Sequence, residues 1–337
     1  MRDRLSMLLC GGLIVALAAT VLLSLGTGAV KISAREILGV LWNQSQSSEI
    51  SAEIILRIRL PRIVLAALVG CALALSGTVY QGLFRNPMAD PYVIGASAGA
   101  SLGATVAMVL PAGSHLLGLS TIPLFAFAGS LATVLLVFNL ARTAQRTPVI
   151  NLILAGVAVS SVLSAVVSLL MFLMPQEGLH GLVFWLMGGF SGRSWNHVVA
   201  IAPHCAVGLV VVVAHARQLN AFLLGEEEAM SLGVDVQKTT RRLVAAASLL
   251  TAASVAAGGI IAFAGLVVPH LVRLIVGPDH RRLIPNACLL GAVFMLLADT
   301  LARSVIPPRE LPVGIITSLT GGPFFIHLLR RHRPREW

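Results

Sequence analysis

The sequence predicts an all-α polytopic membrane protein of about ten transmembrane helices. Two observations carry this expectation. Hydrophobic residues make up 57% of the 337-residue chain and charged residues 11%, whereas a soluble domain carries about 25% charge. The apolar residues also gather into stretches long enough to cross a bilayer, for which a helix needs roughly 20. A water-soluble fold of this length has no interior large enough for so much apolar surface.

Arg2 and Arg4 precede an apolar run at 6–26. That run exceeds the roughly 7–15-residue core of a secretory signal, and further spans follow, so it reads as a retained first helix. The next spans are expected near 61–83, 92–110, 122–141, 151–173 and 195–214. The second holds Gly70, Ala72, Ala74, Ser76 and Gly77, and the third Gly95, Ala96, Ser97, Ala98, Gly99, Ala100 and Gly103. Such small residues let helix backbones approach closely in lipid, where dispersion packing replaces the hydrophobic drive. The seventh and eighth spans, 243–257 and 258–276, abut at Gly258-Gly259 with almost no loop, and the last two fall at 286–302 and 313–329. Glycine and proline break the pattern at 82–91 and again at 258–278, a hint of a repeated half. Two stretches are wet enough to be functional loops, about 27–60 and 215–242. No soluble domain is expected, so residues 1–337 read as one transmembrane domain.

The formal net charge is +10. In a soluble protein that balance points to nucleic acid. Here the basic residues punctuate apolar spans, so they read as topology signals and no nucleic-acid partner is expected. With an even span count and both termini inside, inner segments hold sixteen Lys and Arg, from Arg2 and Arg4 through Arg146 to Arg333 and Arg335, against eight outside. That bias favours cytoplasmic N- and C-termini. Five of the eight outer cations, Lys31, Arg35, Arg57, Arg59 and Arg62, cluster in one segment. Two readings stay open for them, an acidic partner outside the membrane and an amphipathic segment at the interface.

No P-loop, H-E-x-x-H or G-x-S-x-G constellation is present. Cys10, Cys71, Cys205 and Cys288 fall within apolar stretches and form no C-x-x-C pair, so they read as small packing residues. His204 and His215 read as packing or interface histidines against a relay, and Met171, Met174 and Met187 as adaptable packing against a copper path. Asp299 is the carboxylate that falls within a span, and intramembrane ionisable groups are functional candidates by default. Arg303 lies one turn further on, so an i,i+4 pair competes with proton coupling as its role. A self-sufficient carrier using Asp299 is the rival reading from another class. A membrane enzyme lacks any candidate nucleophile or metal cluster.

From Arg59 the chain reads RLPRIVLAALVGCALALSGTVYQGLFRNPMADPYVIGASAGASLGA. It continues with LILAGVAVSS (152–161), FWLMGGF (184–190), LNAFLLGEEEAMSLGV (219–234), the run 258–303 and ELPVGIITSLTGGPFFIHLL (310–329). This series resembles the permease subunit of the type II ABC importers, the family that imports iron–siderophore complexes, haem and vitamin B12. The likeness covers nearly the whole chain in order. It implies the type II permease bundle, a homodimer in the bacterial cytoplasmic membrane, two separate cytoplasmic ATP-binding subunits and an extracytoplasmic solute-binding protein. It also implies no cofactor on this chain, with ATP and magnesium on the partner subunits, and iron(III)–siderophore as the first substrate, haem or cobalamin as alternatives.

Roles follow from the same resemblance. The cytoplasmic segment at about 217–240 matches the family's coupling helices, with Gly225 and Gly233 as breaks, Glu226, Glu227 and Glu228 exposed, and Leu224, Ala229, Met230 and Leu232 as apolar contacts for the ATPase. Arg59, Arg62 and Arg303 match positions that face the binding protein's acidic residues, and the guanidinium fork suits carboxylate. Met88 in RNPMADP, with Val149 and Ile150, matches the inner gate, where an apolar constriction closes by excluding water.

Overall fold

The computed structural model describes residues 2–28, 30–42, 49–110, 115–116, 119–142 and 149–331. The chain forms α1 (Arg2–Gly26), α2 (Ala34–Leu41) and α3 (Glu49–Glu53), and a π-helical turn, Ile54–Arg59, leads directly into α4 (Leu60–Leu83). Then come α5 (Ala96–Val109), α6 (Thr121–Ala141), α7 (Val149–Leu173), α8 (Gln176–Leu186) and α9 (Trp195–Ala214). The remainder is α10 (Ala216–Phe222), α11 (Glu226–Ser231), α12 (Val236–Gly258), α13 (Ala264–Val276), α14 (His280–Ser304) and α15 (Val313–Arg331). A two-residue antiparallel pair, His115–Leu116 with Leu119–Ser120, precedes α6.

Each expected span falls on a helix. Among the described residues, six helices are long and apolar enough to cross a bilayer, including the continuous Glu49–Leu83. α5, α13 and α15 are shorter apolar helices, and α12 carries Lys238, Arg241 and Arg242 in its first turns. Arg146, Arg333 and Arg335, counted toward the inner positive charge, lie outside the described residues.

Several boundaries differ from expectation for local reasons. α12 starts at Val236 rather than 243 because Asp235 caps it, accepting from the Lys238 N–H at 2.9 Å. α14 starts at His280 rather than 286 because Asp279 caps it, accepting from the Arg281 N–H at 3.0 Å. Both polar first turns fall below an apolar threshold, yet a capping carboxylate satisfies their orphan N–H groups. α13 starts at Ala264 rather than 258. Gly259 turns to φ +70° and Phe263 to φ +68°, and a Cβ at 259 would lie 2.3 Å from the Trp185 carbonyl oxygen. Only glycine fits that break.

α4 is the axis of the bundle. It buries most of its length against α9, α12, α13 and α14. Its crossing with α14 is backbone on backbone: a Cβ at Gly70 would sit 2.1 Å from the Gly291 carbonyl oxygen. Hydroxyls sew it to α12. Ser76 Oγ lies 2.7 Å from Thr251 Oγ1 and donates to the Ala247 carbonyl at 3.0 Å, and Tyr80 Oη lies 3.0 Å from Ser248 Oγ. α1, α7 and α9 form the periphery and leave large side chains such as Leu154, Val162, Phe172 and Val210 exposed. In a bilayer those faces meet hydrocarbon, which satisfies them as well as a protein core does.

Candidate functional site

Among the described residues, polar side chains gather near each end of α4. The first is built around Asp299 in α14, which is fully buried. Its main partner is not Arg303, as the i,i+4 spacing suggested, but Arg62 in the first turn of α4. Arg62 Nε donates to Oδ1 and Oδ2 at 3.1 and 3.0 Å, and Nη2 donates to Oδ1 at 2.8 Å. Its remaining edge grips Glu310, with Nη1 2.9 Å from both carboxylate oxygens. Arg303 stands at the margin, with Nε 4.0 Å from Asp299 Oδ2. Pro61 has no N–H to give the preceding turn, and there the Leu60 N–H bonds the Ile55 carbonyl five residues back, a π step of the kind that turns up at functional positions.

The other two arginines close the end of α1. Arg303 Nη2 donates to the carbonyl and hydroxyl oxygens of Ser24. Arg59 Nη1 donates to the Leu25 carbonyl and Nη2 to the Val30 carbonyl. Cations suit a helix C-terminus, where carbonyls lack intrahelical partners. Gly28 admits this: a Cβ there would lie 2.9 Å from Arg59 Nη2. Arg59, Arg62 and Arg303 thus converge, but buried, each holding internal acceptors. With Glu310 they line a cavity of about 280 Å³. Three guanidinium groups face two carboxylates, leaving one positive charge in surplus. Around them, Lys31, Arg35 and Arg57 are exposed, and Arg57 pairs with Glu53 at 3.2 Å.

The second centre holds α10 and α11. Gly225 at φ +127° and Gly233 at φ +82° bracket α11. Glu226, Glu227 and Glu228 are exposed, as are the apolar Leu224, Met230 and Leu232. Ala229 does not join that face. It is buried in the core beneath α11, because neighbouring positions on a helix point in different directions. The exposed apolar face is therefore Leu224, Met230 and Leu232.

Asn220 in α10 carries no motif of its own in the sequence. Its Nδ2 donates to Asp279 Oδ1 at 2.7 Å, and its Oδ1 accepts from the His280 N–H at 2.8 Å and lies 2.9 Å from His280 Nδ1. Asp279 is legible as an N-cap before a helix, but nothing local in the sequence marks Asn220 as its partner or Glu310 as the partner of Arg62. Met88 is half-buried in the turn at 84–95, with its N–H donating to Asn86 Oδ1 at 2.9 Å. Val149 is half-buried and Ile150 exposed at the start of α7. His204 and His215 bond carbonyls one turn back in their own helix, at 2.9 and 2.8 Å.

Residues 16–331 match the FecCD transport family. The chain belongs to that family. This FecCD protein is a multi-pass permease of an ABC importer. It is 43% identical over 334 residues to the hemin transport system permease protein HmuU of Yersinia pestis, covering 98% of this chain and 97% of that one. It is 49% identical over 278 residues to the cobalamin import system permease protein BtuC of Halobacterium salinarum, covering 82% and 73%. An ABC transporter solved in an inward-facing conformation and ascribed to the metal-chelate type superposes with a TM-score of 0.84 at 34% identity, covering 96% of this chain and 99% of that one. Membership in the FecCD family removes the self-sufficient carrier as a reading, and Asp299, the residue that reading rested on, is held by Arg62.

Proposed function

We propose that this FecCD permease carries a metal chelate across the bacterial cytoplasmic membrane, iron(III)–siderophore first, as one half of a homodimer with both termini in the cytoplasm. Two ATP-binding subunits dock on the segment 217–240, and a solute-binding protein delivers ligand at the opposite face. The observation that carries this reading is the exposed trio Leu224, Met230 and Leu232 outside the bundle, beside three exposed glutamates. Apolar side chains in such a patch are the usual mark of a protein partner. Haem is the second reading, favoured by the near full-length likeness to the hemin permease of Yersinia pestis.

At the other end, Arg59, Arg62 and Arg303 supply the positive field for an acidic binding-protein surface, and the exposed Lys31, Arg35 and Arg57 extend it. The turn carrying Met88, with Val149 and Ile150, forms the inner gate. ATP and magnesium act on the partner subunits and this chain binds no cofactor. The test joins the chain with its ATPase subunits in proteoliposomes and supplies the cognate binding protein charged with an iron(III)–siderophore, haem or cobalamin. Uptake of the iron(III)–siderophore that requires ATP and the binding protein is expected. Uptake by this chain alone overturns the reading, and preference for haem or cobalamin moves the substrate to the alternative.

A further inference from the structure

We propose that Asn220 is the positioning residue that locks the ATPase-facing segment to the transport helices, so that α10, α11 and α14 move as one lever. The proposal rests on the reading of 217–240 as the ATPase dock and adds the joint through which its motion reaches the bundle.

One amide makes the joint. A carboxylate only accepts, so the Asn220 Nδ2 must face Asp279, where it donates at 2.7 Å. The Asn220 Oδ1 then faces His280 and takes two donors, the backbone N–H at 2.8 Å and Nδ1 at 2.9 Å. That assignment puts the imidazole proton on Nδ1. Asp279 meanwhile caps α14 through the Arg281 N–H. Asn220 therefore grips the first turn of α14 at three points, and His280 is fully buried beneath it. The same imidazole touches α4. A Cβ at Gly82 would lie 2.7 Å from His280 Nε2 and 3.2 Å from Leu219 Cδ2. Residues from α10, α14 and α4 thus meet at one spot, two positions before α4 enters the turn that carries Met88.

The geometry also explains why asparagine is needed. Aspartate at 220 keeps the acceptor for His280, loses the donor and sets two carboxylates together. Alanine loses all three bonds. Glutamine carries the same amide one methylene too far from both partners.

The experiment uses the complete transporter with ATPase subunits and binding protein in proteoliposomes, charged with whichever chelate the binding protein takes. N220A is expected to keep the ATPase subunits bound while ligand imported per ATP hydrolysed falls at least tenfold. N220D is expected to fall similarly, and N220D/D279N, which restores one donor and one acceptor across the joint, to recover to within about threefold of the parent. Parent coupling in N220A overturns the proposal. So does release of the ATPase subunits by N220A, which assigns the residue to docking, and so does a folded N220D/D279N protein that does not recover. A separate variant, M230E/L232E, tests the underlying reading. If it retains the ATPase subunits, the dock lies elsewhere, whatever Asn220 does.

Discussion

Arg62 in α4 holds Asp299 in α14 through two nitrogens, the shorter bond 2.8 Å, across 237 positions of sequence. The pair is buried, and desolvated charges are stable only while their partners remain. D299A is expected to destabilise the protein by about 3 kcal/mol, less than a full orphaning because Glu310 still holds Arg62. Thermal melting in detergent reads this directly. Charge reversal at Arg62 would set a third carboxylate beside Asp299 and Glu310, so it tests folding before docking.

The contact between Gly70 and Gly291 leaves no room for a side chain. G70A is expected to cost about 1–3 kcal/mol as α4 and α14 separate, and G70V more. A melting series over Gly, Ala and Val at position 70 checks the order. A flat series would mean the crossing yields more easily than the 2.1 Å between an added Cβ and the Gly291 carbonyl oxygen implies.

Leu224, Met230 and Leu232 are exposed without supporting the core. L224D/M230D/L232D is expected to melt within a few degrees of the parent and to lose ATPase subunits on co-purification. Ala229 behaves in the opposite way. A229D places a charge in the core and is expected to destabilise by about 3 kcal/mol.

Asp90 lies in the turn at 84–95, where burial pushes its carboxyl up to about 6 against the opposing Tyr92 N–H, which it accepts at 2.8 Å. A carboxyl raised on folding contributes stability that is complete below its unfolded value near 4 and lost as pH rises through about 6. The parent is therefore expected to lose on the order of 1–2 kcal/mol from this group between pH 5 and 8. D90N keeps an acceptor for the Tyr92 N–H and is expected to remove that slope. The difference between the two melting profiles, not the parent alone, is the measurement.

The spans were legible in the sequence because a bilayer imposes a one-dimensional demand, a sufficient length of apolar residues, and hydropathy is a sum over neighbours. The small residues of α4 announced close packing for the same reason. Asp235 and Asp279 carried cap signals that an apolar threshold passes over, which is why α12 and α14 begin earlier than their apolar runs. Tertiary structure alone decided that Asp299 pairs chiefly with Arg62 and only marginally with Arg303, that Ala229 turns inward while Met230 turns outward, and that Asn220 reaches Asp279 and His280. Those outcomes depend on how helices cross, and a buried charge or amide takes the partner that the crossing delivers, however far away it lies along the chain.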